Sequence, residues 1–492
     1  MSLDALPDPV ASERLAPRMA AIAALVAAAL AMFSPGFLSD GDTYWHVAAG
    51  RWMLAHHQVL KTDVFSYTRA GSPWDAHEWL AEILMAGVRG LWGWTGLVVV
   101  YAAAAGATAW LVVGWLARWL SGPPLLAVAV VAGDCTLPSL LARPHLLALV
   151  PLALWTLELL RGRDEGRAPR PAFAALMAVW ANLHGSYVFG FVLLGVFGLE
   201  AWVEAGPRGW RKMQGWAVFG ALSVGAALIN PEGLDGLVYP FKIMGMTTLD
   251  AIAEWRPIDF SSYQPLELAL LVTVFTCIWK GVRLRPLRLA LLLFLLHMAL
   301  EHARHAVVIA VVAPLVLAEP LAGAFRRRPA RPFGGGWFWP SVAAAAGVVL
   351  MVRVAAPVQP IDGATSPVTA LNHVPRALAG RPVLNDYGFG GYLIYDGVRP
   401  FIDGRADMYG DRYLSDFVTA ISPDDARLKA MLDRYDVAWT VFPPTRPVVQ
   451  ALDRQPGWRR LYADSYAVIH VRTDAAPAMQ AALPPILRPR IG

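Results

Sequence analysis

The sequence predicts a polytopic α-helical membrane protein with a small α/β domain outside the membrane after residue 354. Hydrophobic residues make up 56% of the 492 positions and charged residues only 16%, a balance that soluble domains rarely reach. Apolar runs of roughly 18 residues, long enough to cross a bilayer, recur along the chain. Beyond residue 354 charges become frequent and the apolar runs shorten. The net charge of +5 does not indicate nucleic-acid binding, because the arginines lie in short loops between apolar runs.

The apolar runs predict about eleven transmembrane helices. They cover residues 19–37, 96–117, 123–139, 146–160, 171–183, 188–203, 216–229, 266–279, 287–300, 306–322 and 337–354. The first run follows a polar, proline-bearing stretch and lacks the pattern of a cleavable signal peptide, so we expect a retained anchor. The two cysteines, Cys135 and Cys277, are too few to predict a disulfide framework.

Basic residues predict the orientation of these helices. Alternate loops all carry Lys or Arg, and the loops between them carry few. The basic residues are Arg14, Arg18, Arg118, Arg161, Arg163, Arg167, Arg170, Arg208, Arg211, Lys212, Lys280, Arg283, Arg285, Arg288, Arg326, Arg327, Arg328 and Arg331. By the positive-inside rule the N-terminus, residues 1–18, is cytoplasmic and residues 355–492 lie outside. In a bacterium this corresponds to the inner membrane with a periplasmic C-terminal domain.

The predicted outer loops collect the unusual polar residues. Within the transmembrane domain, 19–354, the first outer loop (38–95) is long and contains two amphipathic helical patterns, 43–56 and 77–91. The later outer loops lie near residues 134–145, 182–185, 230–265 and 301–305. In the loop at 230–265, Glu254-Trp255-Arg256 either forms a lid or has its charged residues facing water. Outside the membrane, alternation and turn residues predict short strands at 382–387, 391–395, 399–403, 437–442 and 466–471. An acidic first turn predicts a helix at 424–435.

Two acids, Asp40 and Asp42, stand where the first outer loop begins. An Asp before a helix often caps its free N–H groups, and this explains one of the two. It does not explain why Tyr44, Trp45 and His46 follow directly. The cluster therefore suggests a catalytic site with Asp42 and Asp40 as candidates.

The motif Asp42-Thr43-Tyr44-Trp45-His46, followed by Gly50-Arg51, resembles the first outer-loop motif of the GT-C glycosyltransferase superfamily. The likeness is greatest to oligosaccharyltransferase catalytic subunits. These enzymes share many membrane spans, a long first outer loop with two membrane-parallel helices, and often an outer C-terminal domain. The resemblance implies that Asp42 is the catalytic Asp and Asp40 its helper, or that these two roles are exchanged.

A second motif in the outer domain is similar to the Trp-Trp-Asp-Tyr-Gly motif of the same subunits. It runs from Asn385-Asp386-Tyr387-Gly388 to Asp403-Gly404-Arg405, and it places Asp386, Tyr387 and Arg405 near substrate. Glycines and an Asp403–Arg405 pair are also ordinary structural features. Leu384-Asn385 replaces the two tryptophans, which argues against peptide N-glycosylation. Only Asp134 stands where the family has Asp-x-Asp, so no cofactor is predicted and a divalent cation has little support.

His77 and Glu78 begin the second amphipathic pattern. They are either the start of a capped interfacial helix, or Glu78 or His77 faces Asp42 and orients it or the acceptor. In the second interpretation Glu78 has a catalytic role, and His46 and His77 bind substrate. A zinc site is not predicted, because the second histidine of a His-Glu-x-x-His motif is missing.

Ionisable residues at the outer ends of the spans predict a phosphate site. Charges at bilayer depth are costly and usually have a partner or a task. These residues are Arg143, His145, His184, Glu301, Arg304 and His305. They either pair with one another and with Asp134, or they bind a polyprenyl phosphate, for which Arg supplies bidentate donors.

These patterns together predict a glycosyltransferase that moves a sugar from a polyprenyl-phosphate-linked donor, within membrane lipid, to a lipid, glycan or protein acceptor. Asp42 would act as general base. One alternative is a transporter or flippase of a lipid-linked saccharide, which predicts charges near the membrane midplane and internal repeats. Another is a non-catalytic subunit for assembly of an envelope polysaccharide.

Overall fold

The computed structural model describes residues 9–206, 209–249, 252–325, 335–422 and 424–474. Arg208 and the arginines between 326 and 331, which contribute to the predicted orientation, lie outside these ranges. The helices are α1 (Pro9–Phe33), α2 (Gly41–His56), α3 (Trp79–Trp119), α4 (Gly122–Thr136), α5 (Pro144–Asp164), α6 (Ala174–Leu183), α7 (Val188–Ala205), α8 (Trp210–Ala227), α9 (Leu234–Met244), α10 (Pro265–Lys280), α11 (Pro286–Glu301), α12 (Ala306–Ala324), α13 (Phe338–Ala355), α14 (Val368–Asn372), α15 (Arg376–Ala379), α16 (Gly390–Tyr395), α17 (Ala406–Ala420), α18 (Asp425–Arg434) and α19 (Pro447–Arg454).

Six segments in the described ranges are long and apolar enough to cross a membrane, so the chain is a polytopic helical membrane protein. They are Leu15–Phe33, Trp79–Trp119, Pro144–Asp164, Gly185–Ala205, Ala303–Ala324 and Phe338–Ala355. Every apolar run singled out in the sequence coincides with a helix. The helices at the other runs, α4, α6, α8, α10 and α11, are shorter or more polar.

The chain folds as two compact units. Unit 1 comprises 1–34, 98–241 and 250–357, and unit 2 comprises 35–97, 242–249 and 358–492. The division predicted from the sequence placed the first outer loop with the transmembrane helices. In the structure that loop belongs instead to the same unit as the C-terminal residues.

Unit 2 contains a four-stranded sheet in the order β1-β2-β4-β3, formed by β1 (Val383–Asn385), β2 (Trp439–Phe442), β3 (Trp458–Ala463) and β4 (Val468–Arg472). The β1 and β2 strands are parallel, with Val383 opposite Trp439. The other pairs are antiparallel, with a register shift in β3 between Arg460 and Tyr462. Because β1 and β2 are buried along their whole length, their sequences are mostly apolar and do not alternate with polar residues facing solvent.

Two predicted strands of this region are wrong. Residues 391–395 lie in the short helix α16, and residues 399–403 form neither strand nor helix. A short buried apolar run does not distinguish strand from helix by its periodicity. The prediction missed β3, whose residues are partly exposed. The helix expected at 424–435 is confirmed as α18, which Asp424 caps through the amides of Ala426 and Arg427.

Both amphipathic patterns of the first outer loop are helical, but neither is a separate surface helix. The first half of α2 is buried on nearly all sides, including Tyr44, Trp45 and His46. The second pattern continues into the following span as α3, which bends at Gly93. Gly93 has φ 65°, a backbone conformation that favours glycine.

A short segment at residues 242–249 is held within unit 2 by Asp411 of α17. The Asp411 carboxylate accepts hydrogen bonds from the amides of Thr247 and Thr248, at 3.0 Å for each, and from both threonine hydroxyls. These bonds, the Thr247 amide first among them, lower the pKa of Asp411 to about 2. The carboxylate therefore stays ionised and fastens the segment at neutral pH.

We expect Asp411→Ala to speed amide hydrogen exchange at Thr247 and Thr248 by about tenfold. The loss of one charge-assisted acceptor costs on the order of 1.5–3 kcal/mol at a buried site, and it costs less at this exposed site. Because the pKa of Asp411 in the folded protein lies below its ordinary value, the hydrogen bonds to its carboxylate stabilise the segment above about pH 4. This stabilisation is lost as the pH falls to about 2. Hydrogen exchange of the peptide covering 242–249 measures both effects.

Asp416→Ala is the matched control, because Asp416 is an exposed residue on the same helix. Equal exchange rates in wild type and in Asp411→Ala would show that the hydrogen bonds to Asp411 do not hold the segment.

Candidate functional site

Helix α2 begins at the acidic pair of the first motif. Asp40 has extended backbone angles and is the N-cap, with its Oδ1 accepting a hydrogen bond from the Asp42 amide at 2.8 Å. The capping role expected for one of the two acids is thus observed for Asp40. Asp42 lies in the first turn, where the helix dipole favours a negative charge.

The Asp42 carboxylate is held by groups from two parts of unit 2. Its Oδ1 accepts a hydrogen bond from Trp45 Nε1 at 2.9 Å. The same oxygen packs so closely on Gly404 that an added β-carbon there would overlap it. The two motifs noted in the sequence are therefore in direct contact, at Asp42 and Gly404.

His46 is buried between Glu82 of α3 and Glu78, which directly precedes α3. It is 1% exposed, its Nδ1 lies 3.0 Å from Glu82 Oε1, and its Nε2 lies 3.4 Å from Glu78 Oε2. His77 Nε2 lies 3.8 Å from the other oxygen of Glu78. Sequence reasoning found His46, His77 and Glu78 but missed Glu82. The signal was its spacing, because residues four apart lie on one helix face.

The side chains of His46, Glu78 and Glu82 form one buried polar group. Glu82 Oε2 is buried without a hydrogen-bond partner in the described ranges. The structure thus brings the candidates His46, Glu78 and His77 together where the turn before α3 meets α2.

The C-terminal motif supplies both support and polar groups. Asp386 caps the 3-10 turn Tyr387–Phe389 by accepting from the Gly388 amide at 2.9 Å, and it pairs with Arg446 at 2.7 Å. The Tyr387 hydroxyl donates to the Gly404 carbonyl at 3.1 Å. Both residues therefore stabilise the loop on which Asp42 rests, and their predicted contact with substrate stays a prediction.

Arg405 is enclosed in unit 2. Its side chain is 0% exposed and pairs with Asp63 at 2.8 Å and with Asp403 at 2.7 Å. The guanidinium also lies 4.7 Å from the centre of the Trp74 ring. The pairing of Asp403 with Arg405, considered as an ordinary structural role, is observed, and Asp63 of the first outer loop joins it. Contact with a substrate would require Arg405 to leave these partners.

In unit 1, two arginines converge on one carboxylate. Arg143, the N-cap of α5, pairs with Glu254 at 2.5 Å, and Arg304 pairs with the same glutamate at 3.2 Å. The Arg304 guanidinium also stacks over Trp255, 4.2 Å from the ring centre. The cluster carries two positive charges and one negative charge.

Glu254 is ionised in this cluster. Burial raises its pKa, but the charges of Arg143 and Arg304 outweigh that effect and lower the pKa to about 2. The sequence indicated that Glu254 is either part of a lid or a water-facing residue of the fourth outer loop. Its partners could not be read from the chain because they lie in other loops.

Two histidines of unit 1, His145 and His184, lie close to each other. His145 Nε2 lies 2.9 Å from the Ser139 carbonyl, and the His145 and His184 rings are 6.3 Å apart. His184 accepts a hydrogen bond from the Ser186 amide and caps the 3-10 turn Gly185–Tyr187. These two histidines are thus neighbours that also anchor local backbone.

His305 and Glu301 have different surroundings. The His305 ring packs against Phe189 and lies 6.3 Å from the Trp255 ring. His302, which the sequence did not single out as a site residue, meets the Trp255 carbonyl through Nδ1 at 2.7 Å. Glu301 pairs with His297 on an exposed helix face. Within the described residues its ion-pair partner is therefore His297 and not one of the arginines.

The two clusters suit different tasks. The group around Asp42 offers a carboxylate fixed by Trp45 and Gly404, which suits a general base. The group around Arg143 and Arg304 offers charged N–H donors at the ends of apolar helices, which suits an anionic headgroup. In the part of the chain that the structure describes, no group of three or more His, Cys, Asp or Glu is arranged to hold a metal ion.

Comparisons with known proteins give structural similarity only. No protein-family model matches the sequence, and a comparison with curated proteins gives no match. The chain is similar to the apo structure of the Archaeoglobus fulgidus oligosaccharyltransferase, with 12% identity, 86% of this chain and 69% of that chain covered, and a TM-score of 0.49. It is also similar to ArnT from Cupriavidus metallidurans bound to undecaprenyl phosphate. The identity is 13%, the match covers 91% of this chain and 97% of that chain, and the TM-score is 0.48. Because both TM-scores lie below 0.5, neither overlap decides the function of this chain.

Proposed function

We propose that the chain is a membrane glycosyltransferase that takes its sugar from a polyprenyl-phosphate-linked donor. The observation that carries the proposal is the pair of arginines, Arg143 and Arg304, that share Glu254 at the ends of membrane-length helices. A ligand with a long apolar chain and a phosphate headgroup matches that combination. The resemblance of the Asp42–Arg51 motif to GT-C enzymes supports the same chemistry.

The reaction is a single displacement at the anomeric carbon. An acceptor hydroxyl forms the new C–O bond and gives its proton to the Asp42 carboxylate, while the bond from the anomeric carbon to the phosphate oxygen breaks. The leaving polyprenyl phosphate keeps the electron pair of that bond. Guanidinium groups stabilise the charge that develops on the phosphate, which is worth about 3–4 kcal/mol per well-placed donor. One displacement inverts the anomeric configuration.

The proposal gives separate tasks to the two units. Arg143, Arg304 and the neighbouring His145, His184 and His305 of unit 1 bind the donor phosphate. Asp42 of unit 2 acts as the base, with His46 and Glu78 beside it. The reaction takes place on the periplasmic face of a bacterial inner membrane.

Loss of both arginines is expected to weaken binding of undecaprenyl phosphate by about 100-fold or more, because a hydrogen bond to a charged group contributes about 1.5–3 kcal/mol. The variant is Arg143→Gln with Arg304→Gln, and binding is measured by native mass spectrometry in detergent. Undecaprenol, which lacks the phosphate, should bind wild type and variant alike.

Arg283→Gln is the matched control, because Arg283 is an exposed arginine of the loop predicted on the opposite side. Unchanged binding of undecaprenyl phosphate by a folded double variant would contradict the phosphate site. Binding without any transfer of sugar by the wild type would instead favour the transporter of a lipid-linked saccharide.

A further inference from the structure

Helix α2 is seated on the C-terminal motif through glycines that leave no room for a side chain. A β-carbon on Gly41 would crowd the Gly388 carbonyl, one on Gly391 would overlap the Gly41 carbonyl, and one on Gly404 would overlap Asp42 Oδ1. Gly41, Gly391 and Gly404 are absent from the positive-φ residues of the described chain. They are glycines because of close approach and not because of a turn.

The Asp42 carboxylate is constrained from two directions at one oxygen. Gly404 lies against Oδ1 on one side, and Trp45 Nε1 donates to the same oxygen at 2.9 Å. Trp45 is 5% exposed and packs edge-on against Trp74, with ring centres 5.8 Å apart. Such an indole cannot change rotamer without disturbing the core around it.

The loop that carries Gly404 is itself braced. The Tyr387 hydroxyl donates to the Gly404 carbonyl, and the residues on either side of Gly404 are the buried pair Asp403 and Arg405. Asp63 extends that brace to the first outer loop. The backbone that meets Asp42 is therefore fixed by ionic and hydrogen-bonded contacts within unit 2.

We propose that Trp45 and Gly404 are positioning residues that restrict the Asp42 carboxylate to its productive orientation. The inference rests on the proposed function, because it assumes that Asp42 is the base. A carboxylate held in one orientation meets the acceptor hydroxyl without a search over rotamers, and a misplacement of about 1 Å can lower a rate by about 100-fold. The second motif thereby acts on catalysis through Asp42.

Trp45→Phe tests the hydrogen bond with little change in packing. We expect turnover number, kcat, to fall by about 10- to 100-fold, with KM for an undecaprenyl-phosphate-linked sugar changed by less than about threefold. The probe is a panel of undecaprenyl-phosphate-linked hexoses and pentoses with tritium in the sugar, supplied to the full-length protein in membranes. The sugar that wild type transfers is used for all variants.

Trp74→Phe is the matched control. Trp74 belongs to the same buried cluster, and its indole nitrogen has no hydrogen-bond partner in the described ranges. Both changes replace a buried indole by a phenyl ring and should lower the melting temperature similarly, but only Trp45→Phe should lower kcat. Equal kcat losses in the two variants, or a raised KM with unchanged kcat in Trp45→Phe, would overturn the positioning role.

Gly404→Ala is a second test of the same role. The added methyl group must push the carboxylate away, so kcat should again fall by about 100-fold. Full activity of folded Gly404→Ala together with inactive Asp42→Asn would refute the positioning inference alone. Full activity of folded Asp42→Asn would refute the proposed function itself, so the two failures are distinguishable.

Discussion

Arg405→Met is expected to destabilise unit 2 by about 3–5 kcal/mol, the cost of leaving buried charges without their partner. Arg405 neutralises Asp63 and Asp403 in a site where all three side chains are 0% exposed. Methionine fills a similar volume but provides no positive charge, so two carboxylates remain buried side by side. Burial lowers the pKa of Arg405, but the charge and the hydrogen bonds of Asp403 outweigh that effect and leave the pKa well above its ordinary value, so the cation is present at every accessible pH.

Hydrogen exchange at the buried strands β1 and β2 measures this loss as a free energy of opening. Arg454→Met is the control, because Arg454 pairs with Asp425 at an exposed site and such pairs contribute about 0–1 kcal/mol. If the two variants lose the same stability, the buried Arg405 cluster does not hold the first outer loop to the C-terminal motif.

Asp42→Asn is expected to lower turnover by about 10²–10⁴-fold, the usual contribution of a general base. Asparagine retains an oxygen that can accept from Trp45 Nε1, so the local packing should survive while the proton acceptor is lost. Melting temperature should therefore change little.

Asp40→Asn is the competing assignment two residues away. Asparagine caps helices about as well as aspartate, so α2 should keep its N-cap. We expect turnover within about tenfold of wild type. If Asp40 and not Asp42 is the base, the order of the two defects reverses.

The membrane part of the fold could be read from the sequence because its signal is local. Each apolar run became a helix, since a backbone inside a bilayer must satisfy its own hydrogen bonds. Helix ends were less accurate, as α1 and α8 show, because packing and not hydropathy sets the ends of a helix. The strand predicted at 391–395 is wrong for another reason. Helix α16 is buried against α2, and such a segment has no polar face from which a helical period could be recognised.

The candidate site could be predicted only in part. Asp42, Arg143 and Arg304 were found because acids and arginines are rare beside apolar runs. Glu82 and Asp63 were not found, and the two arginine partners of Glu254 were not predicted, because each contact joins residues that are distant in the chain. Gly404 was noted only as part of the second motif, with no role of its own. Only the structure shows that its missing side chain makes room for the Asp42 carboxylate.

Transfer of labelled sugar by the full-length protein tests the central claim most directly. Membranes containing wild type, Asp42→Asn or no added protein receive the tritiated panel of undecaprenyl-phosphate-linked sugars. We predict that wild type alone releases undecaprenyl phosphate and moves the label to a new product in equal amounts, and that folded Asp42→Asn gives the background level. Full transfer by folded Asp42→Asn, or no consumption of any donor by wild type, would contradict the account.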